Sequence, residues 1–148
     1  MPQSEYPIRV EEIDMGKQYT APYINFQGRA REAMEFYHRI LGGQLSLFAF
    51  DASGKLKVAG ASDAIGYGRL QADEVRVYGS DGNPAYPGTP GDTISITLAG
   101  PDQAALTEAF HTLAAGGTIM MPLTEAPWGT AGWLKDKFGI NWNVDITK

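Results

Sequence analysis

Apolar residues recur along this chain with two alternating periods, and the alternation runs in the same order twice. Ala30, Ala33, Met34, Tyr37 and Leu41 follow helical spacing, as do Leu106, Ala109, Phe110 and Leu113, so each stretch predicts an amphipathic helix. Ahead of each helix stands a short apolar run, Ile24-Asn25-Phe26 leading into Gly28 and Ile96-Thr97-Leu98 leading into Gly100. After each comes a glycine pair, Gly42-Gly43 and Gly116-Gly117. These landmarks, with Tyr37-His38 and Phe110-His111 between them, lie 72 to 74 residues apart, which marks an internal repeat. The glycines suit the left-handed residue that closes many helices, and Pro101 suits the first turn of the second helix, where a missing N–H costs nothing.

Strand signals follow each glycine pair: Leu45, Leu47 and Phe48 in the first copy, Ile119, Met120 and Met121 in the second. Ile65 to Leu70 and Val75 to Tyr78 read as a hairpin joined by Gln71-Ala72-Asp73-Glu74. Asn141 to Ile146 alternates, with Trp142, Val144 and Ile146 on one face and Asn141, Asn143 and Asp145 on the other, the pattern of a half-buried strand. Each copy therefore reads as a strand, a helix and about three strands, which predicts an α+β fold of two tandem βαβββ modules, 19–78 and 92–148. The stretch 79–92 carries seven glycines and prolines in fourteen positions, so the modules are joined by a loop, 79–91. At roughly 60 residues neither module would bury much core alone, and 19–148 is expected to form one domain. Residues 1–18 stand outside the repeat as an N-terminal arm, in which Tyr6, Ile8 and Val10 alternate like a short edge strand.

Composition narrows the function classes. With 43% hydrophobic and 20% charged residues among 148, the chain is neither a disordered tail nor a membrane span, and no apolar run approaches the roughly 18 residues of a crossing helix. Its formal charge of −5 repels phosphate backbones, so nucleic acid is not an expected partner, and without a spanning run neither is a membrane. The absence of cysteine removes disulfides, thiol nucleophiles and thiolate metal sites. That suits a reducing compartment. The opening residues show no apolar core of a secretory signal, and Glu11, Glu12 and Asp14 argue against a transit peptide, so a cytoplasmic location is expected. Gly66 and Gly68 begin a dinucleotide-like pattern that fails at Gln71, and no serine sits in a Gly-x-Ser-x-Gly elbow.

The repeated module, with EFYHRILGG at 35–43, MMPLTEAPWG at 120–129 and DKFGINW at 136–142, resembles the PhnB-like branch of the glyoxalase, bleomycin resistance and extradiol dioxygenase (vicinal oxygen chelate) superfamily over about residues 20–147. The resemblance implies mixed sheets curled around a cleft and a homodimer. In enzyme members it implies a divalent metal held there by histidines and glutamates. At the positions the resemblance would fill with metal ligands, this chain has Pro22-Tyr23, Tyr67 and Asn143. A phenol is a poor replacement ligand, and an amide has no charge to hold a divalent ion. His38 and His111 each follow an aromatic on the apolar face of a helix, which places them on the helix flank. No metal or other cofactor is therefore expected.

The cleft candidates that remain are polar or aromatic strand residues. Tyr67 and Arg69 share a face opposite Gly66 and Gly68; Arg69 could bind the carboxylate or phosphate end of a small ligand, or pair with an acid on a neighbouring strand. Asn25 and Asn143 could hydrogen-bond a ligand oxygen or satisfy backbone groups, and Trp128 could cover the cleft mouth or fill a contact. The expectation is a small organic ligand bound in a metal-free cleft through Asn25, Tyr67, Arg69, Trp128 and Asn143, with catalysis left open and no catalytic residue identified. The alternatives are a divalent-metal lyase, isomerase or dioxygenase using ligands such as Asp145 or Glu125, and a drug-sequestering resistance-type protein. A demethylubiquinone methyltransferase activity finds no glycine-rich site for a methyl donor.

Overall fold

A computed structural model describes residues 19–148. The strand expected around Tyr6, Ile8 and Val10 lies outside the described residues. The chain divides into two units, the first ending at Gly88 and the second spanning Thr89–Lys148. Both are α+β.

The first unit runs β1 (Tyr23–Asn25), α1 (Ala30–Leu41), β2 (Gln44–Phe50), β3 (Leu56–Val58), β4 (Tyr67–Ala72) and β5 (Val75–Ser80). Its sheet is ordered β1-β5-β4-β2-β3, with β1 parallel to β5 and the other pairs antiparallel. Helix α1 buries Ala30, Ala33, Met34, Phe36 and Tyr37. Its start has no local cap. Instead, Asp81, just past β5, accepts from Ala30 N through Oδ1 (2.9 Å) and from Ile65 N through Oδ2 (2.7 Å), joining the helix start to the chain entering β4. At the other end Gly42 and Gly43, with φ of 71° and 86°, turn the chain into β2.

Three details depart from expectation. Strand β3 is an addition: the Asp51 carboxylate accepts from Ser53 N, Ser53 Oγ and Lys55 N, and the tight turn folds Leu56–Val58 back along β2. These bonds, the Ser53 hydroxyl foremost, hold the Asp51 carboxyl below the usual carboxylate range. The hairpin after β4 is only Asp73-Glu74, because Ala72 pairs with Val75 and Gln71 with Arg76. Strand β5 also continues to Ser80, two residues into the expected loop.

The second unit runs β6 (Ile96–Gly100), α2 (Gln103–Ala114), β7 (Thr118–Ala126), β8 (Gly129–Lys135) and β9 (Asn141–Thr147), with sheet order β6-β9-β8-β7. Its central connectivity repeats that of the first unit. Asp102 caps α2 by accepting from Ala105 N at 3.0 Å, so Pro101 precedes the cap and lies outside the first turn. Phe110 packs directly over β8, where a Cβ on Gly132 would come within 2.6 Å of its ring. Only glycine admits the helix this close.

The DKFGINW segment forms the β8–β9 turn. Buried Asp136 accepts from Phe138 N (2.8 Å), Ile140 N (3.0 Å) and the Trp142 indole N–H (3.0 Å), and Gly139 takes φ of 84°. The motif that carried the resemblance is thus a folding device that orients the core tryptophan. No helix among the described residues is long and apolar enough to cross a membrane.

Candidate functional site

A sheet shows two faces, and helix α1 settles which is which in the first unit. A Cβ on Gly68 would meet Met34 of α1 at 3.4 Å, so Gly68 and Leu70 face the helix while Tyr67, Arg69 and Gln71 project from the other side. Cross-strand register extends this helix-free face. Arg69 lies between Ser46 of β2 and Tyr78 of β5; Gln71 pairs with Gln44 and Arg76, and Tyr67 with Phe48. Tyr23 stands beside Tyr78, and Asn25 beside Ser80.

The face grades from a polar floor to an aromatic rim. Ser46, Arg69 and Gln71 are only 4%, 3% and 2% exposed, whereas Tyr23 and Phe50 are 56% and 60% exposed. The Tyr67 ring lies nearly parallel to Tyr23 and Phe48, with centroids 6.2 and 6.1 Å away, and meets Tyr78 edge-on at 6.0 Å. Arg76 covers the Tyr19 ring at 4.2 Å. The Tyr78 hydroxyl donates to Gln71 Oε1 at 3.2 Å, while Gln71 Nε2 and Ser46 Oγ find no partner. Burial pushes the Tyr67 hydroxyl above its ordinary value of 10, against the opposing positive charge of Arg69. Tyr67 is therefore a neutral hydrogen-bonding group, not a base.

Of the residues expected to line a site, Tyr67 and Arg69 belong to this one face; Asn25 shares it by strand register, and its side chain lines the cavity at the start of α1. The Asn25 side chain is partly occupied, its Oδ1 accepting from Gln27 N at 2.9 Å. Asn143 and Trp128 belong to the second unit. Asn143 is half-buried on β9, paired with Trp133 and Thr97 on the face away from α2, and Trp128 is 57% exposed at the tip of the β7–β8 hairpin. Sequence reasoning missed Ser46, Gln71, Tyr78 and Trp133. Extending the period-two pattern from Arg69 by two residues would have found Gln71.

No three His, Cys, Asp or Glu side chains cluster as a metal site among the described residues. The two histidines face backbone: a ring N–H of His38 donates to Gly43 O (Nε2, 3.1 Å) and one of His111 to Thr107 O (Nδ1, 2.9 Å). Tyr23 and Tyr67 in the first unit, and separately Asn143 in the second, offer neutral oxygens that suit a divalent ion poorly.

The folding unit seen twice here is that of the glyoxalase/bleomycin resistance protein/dioxygenase superfamily. A member from Sphaerobacter thermophilus DSM 20745 shares it at a TM-score of 0.54 and 21% identity, covering 89% of this chain and 98% of that one. Within that fold class, the chain belongs to the PhnB-like family described as 3-demethylubiquinone-9 3-methyltransferase, whose profile matches residues 18–145. It is 30% identical over 141 residues to the protein YjdN of Escherichia coli (strain K12), spanning 86% of this chain and 95% of that one. It also superposes on protein PA1353 of Pseudomonas aeruginosa with a TM-score of 0.76 and 32% identity, covering 88% and 98% of the two chains.

The family's description invokes methyl transfer, and a nucleoside methyl donor needs a carboxylate free to take ribose hydroxyls beside glycine-rich backbone. An open cavity of about 950 Å³ lies where β1 meets α1, lined by Arg29, Arg31, Glu32, Asp63 and Asp81 among others. Its carboxylates are engaged: Glu32 with Arg29, Asp63 with Lys57 and Gly60 N, and Asp81 with two backbone N–H groups. The described residues do not fit such a donor.

Proposed function

We propose that this protein binds a small organic molecule on the helix-free face of its first unit, through Tyr67, Arg69 and Asn25, with no divalent ion in the site. On the second unit, taken by itself, Asn143 and Trp128 are the proposed ligand contacts. The observation that carries the reading is a buried arginine set among polar side chains and ringed by aromatics on a sheet face. Such a combination of an apolar body and a few placed polar groups suits ligand binding. Binding needs no base, and Tyr67, held protonated, does not supply one. The protein is proposed to act as a homodimer, supported by the exposed apolar Ile119, Met120 and Met121 on the edge strand β7.

The test is a fragment screen by amide NMR on the full-length protein purified without chelators, alongside elemental analysis and light scattering. Fragments should shift the amides of β4, β5 and β2 with less than one divalent ion per chain, and the mass should be that of a dimer. A stoichiometric divalent ion whose removal abolishes binding would overturn the metal-free reading.

A further inference from the structure

We infer that the ligand of this face is an uncharged, planar ring compound bearing a carbonyl oxygen: Ser46 and Gln71 donate to the oxygen, and the ring lies against Tyr67 and Tyr23. The inference rests on the reading that this face is the binding site and adds the chemical class.

Open hydrogen-bonding capacity comes first. Ser46 Oγ and Gln71 Nε2 are buried side-chain atoms without a partner. Ser46 pairs with Arg69 and Gln44 with Gln71, so Ser46 and Gln71 are diagonal neighbours on β2 and β4. Such positions lie about 7 Å apart, a gap that a glutamine side chain and one shared oxygen can close. The Tyr78 hydroxyl donates to Gln71 Oε1 at 3.2 Å, which leaves the amide presenting its NH₂. Two unsatisfied buried donors on one face are costly, and a carbonyl oxygen, with two lone pairs, accepts from both.

Charge sets the class. Arg69 already bonds the Tyr67 hydroxyl and Arg76 covers the Tyr19 ring, so neither guanidinium is called on here. The two open donors are themselves uncharged. A carboxylate gives up far more hydration than a carbonyl on entering a buried floor, and one hydroxyl with one amide NH₂ replaces little of it.

Shape completes the assignment. Tyr23, Tyr67 and Phe48 follow one another as near-parallel rings, tilted 16° and 17° at the two contacts. A planar ring stacks on that surface better than a puckered one.

The experiment titrates the full-length protein with acetophenone, α-methylstyrene, cyclohexyl methyl ketone and benzoate, following amide shifts. The second probe keeps the planar outline of the first with CH₂ in place of oxygen. Acetophenone should move Ser46 and Gln71 and bind about tenfold more tightly than α-methylstyrene, and more tightly than the other two. Ser46→Ala should weaken acetophenone about fivefold, leave α-methylstyrene unchanged, and not lower the melting temperature of the free protein, because it deletes an unsatisfied group. Gln71→Glu keeps the acceptor for Tyr78 but reverses the open donor, and should abolish acetophenone binding. If Gln71→Glu fails to fold, Ser46→Ala together with the four-probe ranking still decides. α-Methylstyrene binding as tightly as acetophenone would overturn the carbonyl assignment, the cyclohexyl ketone doing so would overturn the planar one, and benzoate binding more tightly would overturn the uncharged class. Each of these leaves the binding face intact. If none of the four shifts this face, both readings fall.

Discussion

Replacing Asp136 by alanine removes one buried carboxylate and leaves three donors without their acceptor. Two are the backbone N–H groups of Phe138 and Ile140, bonded to Oδ1 at 2.8 and 3.0 Å, and the third is the Trp142 indole N–H, bonded to Oδ2 at 3.0 Å. Hydrogen bonds to a charged acceptor contribute about 1.5 to 3 kcal/mol each, but the turn can relax and admit water to the two backbone groups. The indole cannot do the same, since Trp142 is 1% exposed. A loss of about 3 to 5 kcal/mol is expected, large for a single substitution and enough to unfold much of a marginal domain. Asp136→Asn should cost about half as much, because one amide oxygen can still serve the backbone pair while its NH₂ faces the indole donor. Trp142→Phe removes that donor, so its effect and that of Asp136→Ala should be non-additive by about 1 kcal/mol. Urea unfolding followed by tryptophan fluorescence and far-UV circular dichroism measures the parent, the three single variants and the Asp136→Ala/Trp142→Phe double variant. Coincident transitions are needed before a free energy is extracted. If Asp136→Ala lies within 1 kcal/mol of the parent, the turn is not what holds the indole and the structural account of DKFGINW is wrong.

Gly132→Ala places a methyl group 2.6 Å from Phe110 Cε1 and 2.9 Å from Cζ, and should destabilise the protein by about 1 to 3 kcal/mol in thermal melts. An unchanged melting temperature would mean that α2 does not press on β8. The Tyr67 phenol, its pKa raised by burial, favours the folded state while protonated. That contribution is full below pH 10 and is lost as pH rises through the folded value. Difference titration at 295 nm against Tyr67→Phe should show the missing phenol ionising above 10, and a step at or below 10 would refute the burial argument.

The two helices, the strands beside them and their repetition at a spacing of 72 to 74 residues were legible along the chain, because helical and strand periods are local properties that apolar side chains record in order. Alternation along β4 also placed Tyr67 and Arg69 together, and motif matching supplied the family. What sequence order alone could not show was which strands would become neighbours. Gln71 read as turn because a polar residue next to Asp73-Glu74 looks like loop, yet the pairing of Ala72 with Val75 draws it into the strand and Tyr78 caps its oxygen. Ser46 reaches Arg69 only through a cross-strand register 23 positions apart, and Asp81 caps a helix that starts 51 residues earlier. Side chains so far apart along the polymer leave no periodic trace. Packing alone decides that they meet, since buried donors and acceptors must find partners wherever the fold brings them.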